Sequence, residues 1–199
     1  MKKKYRTLRQ HHPVEFLNEV IFRPNYQDYV KGVGFKLHPQ QLLKYSKWKS
    51  IWPELAGLKN LKIINLRREN LLRSYVSGEI AKKTGVYLIA HQDKREMVKI
   101  QINSGKWHKY MTAREQEQID FKRRFNHHAI YNMTYERLID NRTEELEKVQ
   151  KFLNLPEHDL SARLVKQNPY PLNEIITNFD ELKREHANTE WSHFFTEQS

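Results

Sequence analysis

Short apolar runs alternate with longer amphipathic segments along this chain. Three of the runs are rich in residues that favour β-structure and predict buried strands, at 33–37 (VGFKL), 61–66 (LKIINL) and 129–135 (AIYNMTY). Helix-like patterns lie between and beside them, at 39–48, 70–83 and 112–128. The last of these is strongly polar and predicts a surface helix or insertion. Strands that alternate with helices are typical of βαβ units, so the pattern predicts an α/β fold with a parallel sheet.

The most regular helical pattern follows the third predicted strand, at 142–156. Thr143 is the predicted N-cap, the early glutamates complement the helix dipole, and Pro156 marks the end. One apolar stripe runs along this segment and comprises Leu146, Val149, Phe152 and Leu153. A further helix is predicted near 178–187.

Basic and hydroxyl side chains surround the junction between the second predicted strand and the next helix. Arg67 and Arg68 follow the strand, and Asn70 is the predicted N-cap of the helix. With a period of 3.6 residues, Arg73 and Ser77 share one helix face with Asn70 and Ser74, whereas Leu72, Val76 and Ile80 share another. Ligands of open α/β sheets bind at this edge, where helix N–H groups, guanidinium groups and hydroxyls suit a phosphate. From this segment alone, an ordinary charged turn is an equal alternative.

A second candidate site lies at the end of the first predicted strand, where Lys36 and His38 are separated by one residue. In a strand these two side chains share a face. A cation would then lie beside a group with a pKa near neutrality, which suits proton transfer next to a developing charge. The alternative interpretation is a solvated strand end.

The charge of the chain indicates an anionic ligand. The 199 residues fit one domain, and the formal net charge is +11. Nucleic acid, anionic lipid, sulfated glycan and phosphorylated nucleotide are all compatible with that charge. The basic residues are spread along the chain and balanced by 24 acidic ones, which disfavours a nucleic-acid-binding module.

The rest of the composition limits the kinds of metal site and the cellular location that we expect. The absence of cysteine excludes disulfides and thiolate metal sites, and the 10 histidines show no ligand spacing, so no metal is expected. No apolar run approaches the roughly 18 residues of a spanning helix, and no hydrophobic stretch follows the first lysines. We therefore expect a cytoplasmic protein without a membrane partner.

Taken in order, these segments resemble the sulfotransferases that use 3′-phosphoadenosine 5′-phosphosulfate (PAPS), and most closely their bacterial carbohydrate/nodulation-type branch. The resemblance implies a P-loop-like parallel-sheet fold with helices on both faces. The stretch LKIINLRRENLLRSYVSGEIA is similar to the family's 3′-phosphate segment, which implies that Arg68 and Ser77 bind that phosphate, with Arg73 nearby. The spacing is one residue longer than in the cytosolic enzymes, which leaves Arg67 as an alternative to Arg68. Tyr135, in the segment similar to the family's Tyr-Glu-Asp-Leu strand, would lie near the adenine.

Two further segments resemble parts of the same family. GFKLHP is similar to its Lys-x-His-x-Pro region, although the proline comes one residue early. The resemblance implies that His38 is the general base on the acceptor hydroxyl and that Lys36 contacts the sulfonate. The segment 11–24 is similar to the bacterial branch after its first helix, which makes Glu19 a rival base. Residues 166–182 also fit the C-terminal part of that branch.

One element of the family has no counterpart in the sequence. The family begins with a strand and a loop, resembling Arg-Ser-Gly-Thr, that holds the 5′-phosphosulfate. This chain has MKKKYRTLRQ before residue 11, and YRTLRQHHP is typical of the tail of the helix after that loop. We therefore expect a single sulfotransferase-like domain over 1–199 that is incomplete at its N-terminus.

The resemblance predicts the transfer of a sulfuryl group from PAPS to an acceptor hydroxyl, on a carbohydrate by family branch. The expected partner is a small molecule or glycan that carries a hydroxyl. Two alternatives stay open: a sulfotransferase-like protein that binds nucleotide without activity, and the nucleic-acid-binding module.

Overall fold

The computed structural model describes residues 3–39, 46–87, 96–160 and 169–196. The helices and strands are numbered here in chain order within these ranges. The α-helices are α1 (Lys3–His11), α2 (Pro13–Phe16), α3 (Ile51–Gly57), α4 (Leu71–Thr84), α5 (Ser104–Arg124), α6 (Tyr135–Asp140), α7 (Arg142–Leu153), α8 (Leu172–Ile175) and α9 (Phe179–Glu185). The strands are β1 (Lys62–Arg67) and β2 (Ala129–Thr134). A π-helical turn spans Leu17–Ile21, and 3₁₀ turns span Ser46–Ser50 and Ser192–Phe195.

The chain forms two compact units. The first comprises Met1–Asn65, Ile119–Met133 and Glu144–His158, and the second comprises Leu66–Gln118, Thr134–Thr143 and Asp159–Ser199. The division therefore falls inside the long helix α5 and near the C-terminal ends of both strands. The expectation of a single sulfotransferase-like domain stays a prediction.

The first unit contains most of the parallel pair formed by β1 and β2. Asn65 and Asn132 join the two strands by a side-chain hydrogen bond of 2.8 Å. Ile63 and Ile130 pack against a small core, whose buried members are Leu17, Ile51, Leu55 and Phe125. The sequence prediction of strands at 61–66 and 129–135, in an α/β arrangement with parallel pairing, agrees with this pair.

The second unit has the larger core, and Trp107 of α5 lies at its centre with no exposed surface. Trp191 and Phe195 make edge-to-face contacts with it, with ring centroids 5.7 and 5.4 Å away. Helix α4 contributes one apolar stripe to the same core, namely Leu72, Tyr75, Val76 and Ile80. This stripe has the 3.6-residue period that the sequence predicted for the segment.

Local signals define both ends of α4. The Asn70 side chain accepts a hydrogen bond of 2.9 Å from the backbone N–H of Arg73, as expected for the predicted N-cap. Gly85 follows the helix with a φ of 74°, and its N–H donates to Ala81 O over 2.9 Å. Glycine adopts this left-handed conformation without steric cost, which is why the helix ends there.

The predicted strand at 33–37 is wrong. Within the described residues this segment has no regular secondary structure and pairs with no neighbouring strand. Val33 and Phe35 are 39% and 40% exposed, so the segment is not buried. A strand needs a backbone partner for its N–H and C=O groups, and the described sheet consists of β1 and β2. Leu37 nevertheless packs against the core of the first unit.

Three boundaries also differ from the prediction. Helix α5 starts at Ser104 instead of 112 and is not purely a surface helix, because Trp107 and Met111 are buried in its first turns. Helix α7 starts at Arg142, so Thr143 lies inside it and is not the N-cap. Strand β2 ends at Thr134, which caps α6 by accepting a hydrogen bond from Arg137 N–H, so Tyr135 is helical.

Other predicted segments are covered in part. Residues 40–45 of the predicted helix at 39–48, and residues 166–168 of the C-terminal segment, lie outside the described residues. The helix predicted near 178–187 is confirmed as α9. No helix in the described part of the chain is long and apolar enough to cross a bilayer.

Candidate anion-binding site

The second unit brings Arg68 and Tyr135 into contact, although they are distant in the sequence. Arg68 follows β1, and Tyr135 is the first residue of α6, directly after β2. Because the carboxyl ends of parallel strands lie at one edge of a sheet, the residues that follow them become neighbours. The guanidinium carbon of Arg68 lies over the Tyr135 ring, 4.1 Å from its centroid. The π-system of the ring attracts the cation, so this contact helps to hold the guanidinium group near Tyr135.

Glu136 is the next residue of α6 and contacts the same turn. Its Oε1 atom lies 3.8 Å from Arg68 Nε. Its Oε2 atom accepts a hydrogen bond of 3.0 Å from the backbone N–H of Glu69. One carboxylate therefore pairs with the charge of Arg68 and also accepts a hydrogen bond from the backbone between β1 and α4.

The Arg68 side chain is mostly buried, and its guanidinium makes no hydrogen bond with any residue in the described ranges. Its side chain is 17% exposed, and the contact with Glu136 is an ion pair too long for a hydrogen bond. A charged group removed from water is costly unless hydrogen bonds or opposite charges compensate it. The N–H groups of Arg68 are thus donors for which a bound anion would be a suitable acceptor.

The face of α4 that carries the other predicted ligands is partly engaged by protein groups. Arg73 donates from Nη1 to the backbone oxygen of Tyr170 over 3.1 Å. Ser74 Oγ and the Tyr110 hydroxyl form a hydrogen bond of 3.1 Å. Ser77 is half-buried on this helix. Arg73 is therefore not simply a solvated cation, because a backbone carbonyl orients it.

The two neighbouring arginines at the end of β1 differ in their surroundings. Arg67 is exposed, and its side chain makes no hydrogen bond, ion pair or cation–π contact with a described residue, whereas Arg68 lies over Tyr135 and pairs with Glu136. This difference favours Arg68 over Arg67 as the candidate anion ligand.

The predicted catalytic residues lie in the first unit, where Lys36 and His38 are exposed in a segment without regular secondary structure. Partial desolvation is the main cause that lowers the pKa of His38 below its ordinary value, and the Lys36 charge lowers it further. His38 is therefore neutral at neutral pH, the form in which imidazole accepts a proton. Glu19, the rival base, is exposed in the π-helical turn Leu17–Ile21.

No pattern in the sequence predicted a role for Glu136, and Asn70 was predicted only as a helix cap. Asn70 also donates from Nδ2 to the backbone oxygen of Phe194 over 3.1 Å, so it joins α4 to the C-terminal 3₁₀ turn. The signal for Glu136 was its position directly after the second strand, beside the residues that follow the first. The described residues contain no group of three His, Asp or Glu side chains placed to hold a metal ion.

Two curated proteins are similar to the chain, and both are named nodulation protein H. One is from Rhizobium meliloti and the other from its strain 1021. Each is 27% identical over 186 residues, which cover 91% of this chain and 74% of the relative. No protein-family model matches the chain. No solved structure matches it.

Proposed function

We propose that the chain is a sulfotransferase that moves a sulfuryl group from PAPS to an acceptor hydroxyl on a carbohydrate. The similarity to nodulation protein H extends over most of the chain. The name of that relative matches the nodulation-type branch that the sequence resembles. The parallel pair of β1 and β2 is compatible with the P-loop-like sheet of that family. The fold assignment is part of the proposal.

The observation that carries the proposal is the arrangement of Arg68. Its guanidinium lies over Tyr135 and makes no hydrogen bond with a described residue, and the side chain as a whole is 17% exposed. A terminal phosphate presents several oxygens to such a fork-shaped donor. We assign Arg68 and Ser77 to the 3′-phosphate of the nucleotide, with Arg73 as a further cation on α4 and Tyr135 near the adenine. Arg67 is the weaker candidate because it is exposed.

In the proposed reaction the acceptor oxygen attacks the sulfur of PAPS. The new oxygen–sulfur bond forms as the bond from sulfur to the bridging phosphate oxygen breaks, and 3′,5′-adenosine bisphosphate leaves. His38 takes the hydroxyl proton, which requires its neutral form, and Glu19 is the alternative base. Lys36 stabilises negative charge on the sulfonate or the bridging oxygen. Positioning and electrostatic stabilisation would supply most of the rate, as in phosphoryl transfer.

The acceptor follows from the reaction class. The proposed reaction requires only that the acceptor carries a hydroxyl whose proton His38 or Glu19 can remove. Both small molecules and glycans carry such a hydroxyl. The resemblance to the carbohydrate branch favours a sugar hydroxyl. Nothing in the proposed chemistry requires a metal ion.

A transfer assay tests this function. The protein is incubated with PAPS labelled with ³⁵S and a panel of oligosaccharides, and labelled product is separated from the donor. We expect labelled sugar, and we expect His38→Ala to abolish its formation without loss of 3′,5′-adenosine bisphosphate binding. Nucleotide binding without transfer to any hydroxyl acceptor would refute the enzyme and indicate a nucleotide-binding protein. Tight, salt-sensitive binding of DNA or RNA without nucleotide binding would instead support the nucleic-acid-binding module.

A further inference from the structure

The two carboxylate oxygens of Glu136 contact two different groups of the proposed phosphate site. Oε1 lies 3.8 Å from Arg68 Nε, and Oε2 accepts from Glu69 N–H over 3.0 Å. The side chain is 29% exposed, so the surrounding protein, in addition to solvent, determines its position. Glu136 is thus the described residue that contacts both the arginine and the backbone of the turn before α4.

The position of Glu136 determines which edge of Arg68 is left for a ligand. A guanidinium carries five N–H donors in one plane, on Nε, Nη1 and Nη2. The guanidinium carbon lies 4.1 Å from the centre of the Tyr135 ring, and Glu136 lies near Nε. The terminal nitrogens make no hydrogen bond with a described residue. They are the donors with which arginine binds two oxygens of one phosphate.

We propose that Glu136 is a positioning residue for the nucleotide phosphate, which holds Arg68 so that its terminal nitrogens bind the phosphate. The same carboxylate fixes the Glu69 amide, and with it the turn that leads into α4. This inference rests on the proposed function. It assigns Glu136 no contact with the nucleotide and no part in proton transfer.

The opposite role for Glu136 is a competitor of the phosphate. A carboxylate near a cation and a backbone N–H also resembles an occupant of the anion site, which the phosphate would have to displace. The two roles predict opposite signs, because removal of a positioning residue weakens nucleotide binding, whereas removal of a competitor strengthens it. Glu136→Gln separates them, since the amide oxygen still accepts from Glu69 N–H while the negative charge is lost.

The experiment is a double-mutant cycle measured by calorimetry with 3′,5′-adenosine bisphosphate. We expect Glu136→Gln to weaken binding about three- to tenfold, and Glu136→Ala, which also releases the Glu69 amide, to weaken it more. In the Arg68→Lys background the same Glu136→Gln change should have no effect, because lysine lacks the fork that Glu136 orients. Glu69→Gln, which removes an exposed neighbouring charge, is the matched control and should leave the affinity within about twofold.

The outcomes distinguish this inference from the function on which it rests. Tighter binding by Glu136→Gln, or equal losses in the wild-type and Arg68→Lys backgrounds, would overturn the positioning role even if Arg68→Ala weakens binding. Absence of binding by the wild-type protein would overturn the proposed function itself. Thermal unfolding of each variant is measured in parallel, and 5′-adenosine monophosphate, which lacks the 3′-phosphate, should bind all Glu136 variants equally.

Discussion

Asn70 supports the start of α4 through two side-chain hydrogen bonds, and its replacement gives a quantitative test. In Asn70→Ala the N-cap bond to Arg73 N–H and the bond to the Phe194 carbonyl are both lost. Loss of a cap costs about 1 kcal/mol, and loss of a net hydrogen bond costs about another 1 kcal/mol, so we expect about 2 kcal/mol in total. For a chain of this size, that change lowers the midpoint of thermal unfolding by about 4–8 °C.

Circular dichroism at 222 nm measures this change, and Asn70→Ser separates its two parts. The serine hydroxyl still accepts from Arg73 N–H but is too short to reach Phe194 as the amide does, so about half of the lost stability should return. A midpoint of Asn70→Ala equal to that of the wild type would refute the contribution of both bonds. A midpoint of Asn70→Ser equal to that of Asn70→Ala would refute the assignment of Asn70 as the helix cap.

Three further predictions concern the core and the titratable histidines. Leu72→Ala removes a fully buried side chain and should cost about 2–5 kcal/mol in urea unfolding, whereas a loss below 1 kcal/mol would show that the site collapses easily. Burial lowers the pKa of His186 despite the opposing charge of Glu185, so the unfolded chain binds its proton first as pH falls. The free energy of unfolding, followed by tryptophan fluorescence, should therefore decrease as the pH drops below 6.5, the ordinary pKa of histidine. His186→Phe should make the free energy less dependent on pH in this range, and equal pH dependence of the variant and the wild type would contradict the prediction. If His38 is the base, transfer should fall only as pH drops through its lowered pKa, so an acid limb above 6.5 would exclude it.

The sequence predicted those parts of the fold that short-range signals determine. Asn70 and the apolar stripe of α4 identified this helix and its start, because capping and a 3.6-residue period are local properties. The strand at 61–66 was recognisable for a similar reason. The segment at 33–37 is also largely apolar, but a strand requires a partner that composition does not specify.

The candidate site was only partly predictable because its contacts are nonlocal. Glu136 accepts from a backbone N–H that is 67 residues away in the sequence, so no local pattern indicated the contact. The choice between Arg67 and Arg68 likewise depends on Tyr135, which only the pairing of β1 and β2 brings near. The early start of α5 depends on Trp107, whose burial requires the C-terminal residues Trp191 and Phe195.

The most direct test of the account compares the two adjacent arginines by calorimetric titration with 3′,5′-adenosine bisphosphate. Arg68→Ala should weaken binding about 10- to 100-fold, the range for the loss of hydrogen bonds to a charged group, while Arg67→Ala should change the affinity by less than about threefold. Both variants lose one positive charge, so the comparison removes the general electrostatic effect. Equal affinities of the two variants, or a greater loss in Arg67→Ala, would contradict the placement of the nucleotide phosphate at Arg68.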